Sequence, residues 1–234
     1  MHTFCVQKTF SNNIFRTTGE ENRYEKDLLI GDSIRLGYDK YVKMAFEDAA
    51  EVYYPEENCR FAAFVFRHLD EWKTSLGCGD DVDLVHWNDG LWDDLILQDG
   101  VHMTPIDIYK FYIERTCNMI KILFPKAKMI FATSTPVQEE LFLGNKRYNR
   151  DTEEYNRAAS EIVKKHGGEI NDLYSLAKAS PVEWHSDLTH YYTKEGTRML
   201  ADQVVKSIEN TLGIQGKVLD YDALFAETEK ILGV

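Results

Sequence analysis

The chain has 234 residues, with 39 acidic against 27 basic side chains and a formal net charge of -12. Hydrophobic residues make up 44% and aromatic residues 12%, so a chain of this length supports a sizeable core, and disorder, collagen and coiled coil are excluded. The acidic balance argues against a nucleic-acid partner and against stable association with an anionic membrane, since both need clustered Lys and Arg.

The opening MHTFCVQKTFSNNIF has neither the basic segment nor the apolar run of a secretory signal, and no stretch has the length of apolar residues that a transmembrane helix requires. Residues 1–26 are polar and without period, either an irregular lead-in or an extra edge element. DLLIGDS predicts a strand over 27–31, then a helix to about residue 47 with Leu36, Val42, Met44 and Phe46 inward. AAEVYYP predicts a second strand over 50–54, stopped by Pro55. Residues 60–76 place Phe61, Phe64, Val65, Leu69 and Trp72 on one helical stripe, and DVDLVHWN, 81–88, reads as a third strand before the NDG loop.

Thr104-Pro105-Ile106-Asp107 reads as an N-cap, a proline at the first helical position and an acid at the third, opening a helix to about residue 124. AKMIFATSTP, 127–136, is the strongest strand signal. Residues 151–166 form a helix stopped by Gly167 and Gly168, and GEINDLY supplies a fifth strand. Thr193 caps a helix over 194–211, and the tail 213–234 has apolar residues enough to dock as a short helix. The four cysteines, Cys5, Cys59, Cys78 and Cys117, are scattered, as expected of reduced thiols in a cytoplasm.

Strands alternating with long helices predict a three-layer α/β/α sandwich on a mostly parallel five-stranded sheet, as one domain with its core at 27–212. In such a sheet ligands bind beyond the carboxyl ends of the strands. That rule picks out Ser33, Asn88 and Thr135. Ser33 begins a helix, where backbone N–H groups are free to meet an oxyanion, although the same place suits a simple capping serine. Asp187 and His190 stand three apart before a helix. There a carboxylate orients an imidazole to activate a serine; the bland alternative is a solvated loop. Asn88 offers an amide donor past strand three, or an Asx turn with Asp89 and Gly90.

GDS at 31–33, the Asn of WND at 88 and the DxxH at 187–190 follow one another in an order that resembles the SGNH/GDSL hydrolase superfamily, over residues 27–212. The resemblance implies a flavodoxin-like sheet, Ser33 as nucleophile, His190 as base and Asp187 as its partner. It implies an oxyanion hole from the Ser33 N–H, the Asn88 side chain and the N–H of a glycine after strand two. Here ENCRF stands at that place and Cys59 aligns with the glycine; His86 replaces another glycine two residues before Asn88. Asp32, His86, Trp87, Trp184 and Tyr191 flank these motifs as candidate substrate contacts, the aromatics either stacking on sugar rings or packing loops.

Gly31 makes no nucleotide loop, because neither GxGxxG nor GxxxxGK[ST] occurs, and no organic cofactor is expected because a serine acyl-enzyme mechanism needs none. No metal is expected either, because the histidines near Asp187 lack an HExxH or CxxC companion. The expected activity is hydrolysis of short-chain carboxylic esters, with O-acetyl removal from a carbohydrate as the leading reading and a small-molecule or oligosaccharide ester as partner. A lysophospholipase or thioesterase for longer chains, and an inactive glycan-binding or scaffold module, are the alternatives. Oligomeric state stays open.

Overall fold

The structure, a computed structural model, describes residues 23–232. The lead-in at 1–22 therefore lies outside the described residues, while Glu25 and Lys26 belong to the first strand. Five strands, β1 (Glu25–Ile30), β2 (Ala50–Tyr53), β3 (Leu84–Trp87), β4 (Lys128–Ala132) and β5 (Glu169–Asn171), pair in parallel in the order β2-β1-β3-β4-β5. The helices are α1 (Ser33–Ala45), α2 (Ala62–Leu76), α3 (Ile106–Leu123), α4 (Asn149–Lys165), α5 (Leu173–Lys178), α6 (Lys194–Leu212) and α7 (Tyr221–Leu232).

Strand side chains alternate between the two faces of the sheet, and each face has its own core. Leu28, Ile30, Val85, Trp87 and Phe131 pack beneath α2, α3 and α4. Leu29, Leu84, Ile130 and Ala132 face α1, α5, α6 and α7. Both faces are covered, which is why the strands read as almost continuously apolar. The chain leaves β1 toward β2 on one side and comes back to β3 on the other. The connections after β1 and β3 therefore diverge, and a crevice opens between them at the carboxyl edge.

Three local expectations are corrected. The helix expected at Thr104 begins at Ile106, and its N-cap position is Pro105 without a side-chain cap. Thr104 is drawn elsewhere: its N–H donates to Asp93 O at 3.0 Å and its carbonyl accepts Tyr155 Oη at 2.6 Å. β4 ends at Ala132, with Thr133–Pro136 continuing as loop. GEINDLY divides into β5 and α5, because Asp172 accepts the Ser175 N–H at 3.0 Å and starts a helix two residues after the strand. The tail docks as expected: Tyr221 is buried, and the Phe225 ring stacks on Tyr41 at 5.9 Å. Among the described residues no helix is long and apolar enough to cross a membrane.

Candidate active site

The turn between β1 and α1 is the foundation of the site. Asp32, not Ser33, is the N-cap of α1, and its Oδ1 accepts the Ile34 N–H at 2.9 Å. Burial raises the pKa of the Asp32 carboxyl, while the Ile34 N–H and the Asn88 side chain oppose that rise. With the cap supplied by Asp32, the Ser33 hydroxyl is released for other work, and its N–H is one of the unsatisfied donors of a helix start. Asp32 is fully buried, so it stands beneath the site as a capping residue and offers no surface to a ligand.

Ser33 Oγ lies 2.8 Å from His190 Nε2, and His190 Nδ1 lies 2.8 Å from Asp187 Oδ2. The second carboxylate oxygen of Asp187 accepts the N–H groups of Thr189 at 2.7 Å and His190 at 2.8 Å. One carboxylate thus shapes the 187–190 turn and aims the imidazole. Partial burial would raise the Asp187 pKa, but the Thr189 N–H, the His190 imidazole and the His190 N–H outweigh it and hold the group below its ordinary value. The turn is closed from behind by the Ser186 N–H donating to His190 O at 2.8 Å. The Tyr192 ring stacks on His190 at 4.7 Å, and its hydroxyl donates to Ser33 O.

Asn88 follows β3, and its N–H donates to Ile30 O at 3.1 Å, which locks it across the crevice from Ser33. Its amide is 2% exposed and sits directly over Gly31. A Cβ on Gly31 would come 2.0 Å from Asn88 Oδ1, so only glycine permits this approach. Behind it, both Asp93 carboxylate oxygens accept the Ala62 N–H, at 3.3 and 3.1 Å, and so serve the uncapped start of α2 from the loop after β3.

The donor assigned to Cys59 is corrected by the geometry. Its N–H donates to Gly31 O at 3.1 Å and is thereby committed to the β1–α1 connection. The left-handed backbone that favours glycine occurs one residue later, at Arg60 with φ 59°, and the Arg60 N–H bonds Asn58 Oδ1 at 2.8 Å. The Cys59 thiol is fully buried and burial pushes its pKa up to about 12, which removes it as a nucleophile.

The flanking candidates divide in the same way. His86 and Trp87 are fully enclosed: His86 packs edge-on to Tyr38, and Trp87 edge-on to Phe131 at 5.0 Å. Burial lowers the His86 pKa to about 4, so it is a neutral core histidine. Tyr191 is buried too, with its hydroxyl donating to Pro136 O at 3.2 Å. These three are core residues and offer no surface to a ligand; for Trp87 and Tyr191 the packing alternative applies. Thr135 is likewise fully buried. The aromatic that meets the site is Tyr192, one residue along. Tyr192 is also one of the aromatics that flank the sequence motifs, and Gly37, whose missing side chain leaves room for its ring 2.7 Å from where a Cβ would stand, admits it. Trp184 is half-buried and lines a groove of about 580 Å³ between α5 and α6 with Leu176, Pro181 and Met199.

No family model matches the chain, and no curated protein matches it in sequence. Solved structures do match in shape. An acetyl xylan esterase, AlAXEase, aligns at a TM-score of 0.64 with 16% identity, over 78% of this chain and 99% of that one. A lipase/acylhydrolase from Enterococcus faecalis aligns at 0.64 with 18% identity, over 83% of this chain and 100% of that one. Axe2, an acetylxylan esterase from Geobacillus stearothermophilus, aligns at 0.61 with 18% identity, over 79% and 94%. The chain has the SGNH/GDSL hydrolase fold. Within that fold, Ser33 and Asn88 flank the crevice between β1 and β3, and the 187–190 turn brings Asp187 and His190 to it from the sequence just before α6.

Proposed function

We propose that the protein is a serine carboxylic ester hydrolase acting on short acyl groups, with O-acetyl groups of a carbohydrate as its substrate class. The observation that carries this reading is the unbroken path Ser33 Oγ–His190–Asp187, with both hydrogen bonds at 2.8 Å, at the mouth of the β1/β3 crevice. A serine hydroxyl is a weak nucleophile until a base takes its proton. His190 Nε2 is placed to do so as Oγ attacks the ester carbonyl. The resulting imidazolium lies against the Asp187 carboxylate, which supports its charge. The carbonyl oxygen becomes an oxyanion facing the Ser33 N–H and the Asn88 amide. His190 then returns its proton to the leaving alcohol, and a water molecule hydrolyses the acyl-enzyme with the same groups in reversed roles.

The acetyl preference is supported by the two acetylxylan esterases among the structural neighbours. The lipase/acylhydrolase, equally similar in shape, favours longer acyl chains as a second reading. Hydrolysis rates of p-nitrophenyl esters from acetate to octanoate separate the two: the proposal expects a fall along the series, and a rise to octanoate overturns the short-chain part. Fluorophosphonate labelling of the wild type, lost in Ser33→Ala, is expected of any serine hydrolase. A folded wild type that takes no label and cleaves no ester is instead a binding or scaffold module.

A further inference from the structure

Arg35 lies in the first turn of α1, two residues after Ser33, and is wholly buried. A guanidinium is poorly placed there, because a helix start favours negative charge and burial demands a partner for every donor. Each of its nitrogens is in fact used. Nε donates to Gly31 O at 3.3 Å, Nη2 donates to Glu57 O at 2.6 Å, and Nη1 is paired with the Asp39 carboxylate one turn along. Gly31 O is the same carbonyl that accepts the Cys59 N–H.

These bonds join two separate segments. One is the β1–α1 connection that presents Ser33 and makes room for Asn88 at Gly31. The other is the 57–60 loop, whose far side is held by Trp72 Nε1 donating to Glu57 Oε1 at 3.1 Å and whose last residue takes the left-handed backbone at Arg60. A planar fork with fixed donor directions can span two carbonyls and a carboxylate at once, which a lysine ammonium on a flexible stem cannot reproduce.

Resting on the esterase reading above, we infer that Arg35 is a positioning residue for the oxyanion hole: it clamps the Gly31 and Glu57 carbonyls, tying the β1–α1 connection to the 57–60 loop, so that the Ser33 N–H and the Asn88 amide keep one mutual geometry. Arg35 touches neither His190 nor Asp187, so the clamp acts on stabilisation of the oxyanion and leaves proton transfer alone.

The test uses the full chain with p-nitrophenyl acetate and a fluorophosphonate. In folded Arg35→Lys, kcat is expected to fall about tenfold or more with KM within about threefold, the signature of a contact made in the transition state. The acid limb of its kcat–pH profile should keep the wild-type midpoint. Arg35→Ala should lose at least as much, and millimolar ethylguanidinium should restore part of kcat. A kcat for Arg35→Lys within about twofold of wild type overturns the inference alone. So does a loss that follows the unfolded fraction and ignores ethylguanidinium. Should neither Arg35 variant fold, Asp39→Asn loosens the same clamp with the same expected split, and an unchanged kcat there overturns it. A wild type without label or hydrolysis overturns the esterase reading, and the clamp's role falls with it.

Discussion

Ser33 is free to meet His190 because its neighbour has taken over the task a serine most often performs at a helix start. The division of labour between Asp32 and Ser33 turns a common local motif into a placed hydroxyl. The same economy governs Gly31, whose missing Cβ admits the Asn88 amide. Asn88→Ala is expected to lower kcat by about 10²–10³-fold, the usual effect of losing one oxyanion donor. Gly31→Ala should approach that loss with the fold retained, since its Cβ would collide with the amide and push it aside. Steady-state kinetics beside circular dichroism check both, and an active Gly31→Ala protein would show that Asn88 does not need this position.

At the scale of elements, α1 depends on its cap. Asp32→Ala should destabilise the protein by about 1–2 kcal/mol, as loss of a capping side chain does, and should also reduce activity by loosening the turn that holds Ser33. Asp32→Asn keeps an acceptor for the Ile34 N–H, and because burial already disfavours the charged form of Asp32, its stability should stay closer to wild type. Urea denaturation of the two variants decides this. The long helices were legible because their apolar stripes repeat over several turns, as in α2 and α6. The six-residue α5 was not: after the three-residue β5 it is too short for helical periodicity to emerge from IND-LYSLAK. Thr104 misled for a different reason, since its backbone is claimed by Asp93 in the loop after β3 and by Tyr155 on the distant α4.

For the molecule as a whole, the sheet encloses an ionisable group that does not contribute to the site. Asp27 on β1 is fully buried, and neither carboxylate oxygen has a hydrogen-bond partner among the described residues. Burial, reinforced by the charges of Asp83 and Glu25, raises its pKa to about 8. The folded protein therefore keeps a proton there that the unfolded chain releases near pH 4. Stability contributed by the protonated form is complete below that pH and is lost as pH rises toward 8, with a slope of about 1.4 kcal/mol per pH unit. Asp27→Asn, which cannot ionise, should gain on the wild type through this window and hold a constant advantage above it. Denaturation at pH 5, 7 and 9 measures the gain, and a pH-independent difference would contradict the assignment.

Chain pattern by itself determined the parallel α/β architecture, because apolar periodicity and strand–helix alternation are local properties of the sequence. It also singled out Ser33, Asn88, Asp187 and His190, since each stands at a strand end or a helix start with a recognisable residue type. Contacts between distant segments lay beyond its reach. Whether Trp87, His86 and Tyr191 faced a ligand or the core depended on which side of a strand or turn each occupied, and one residue of register exchanges Tyr191 for Tyr192. The Cys59 N–H looked available until the loop after β2 folded back on Gly31, and nothing in the sequence marked Arg35, which two carbonyls and Asp39 enclose. Such facts arise only in the tertiary structure, because burial and hydrogen-bond commitment depend on groups that sequence distance does not reveal.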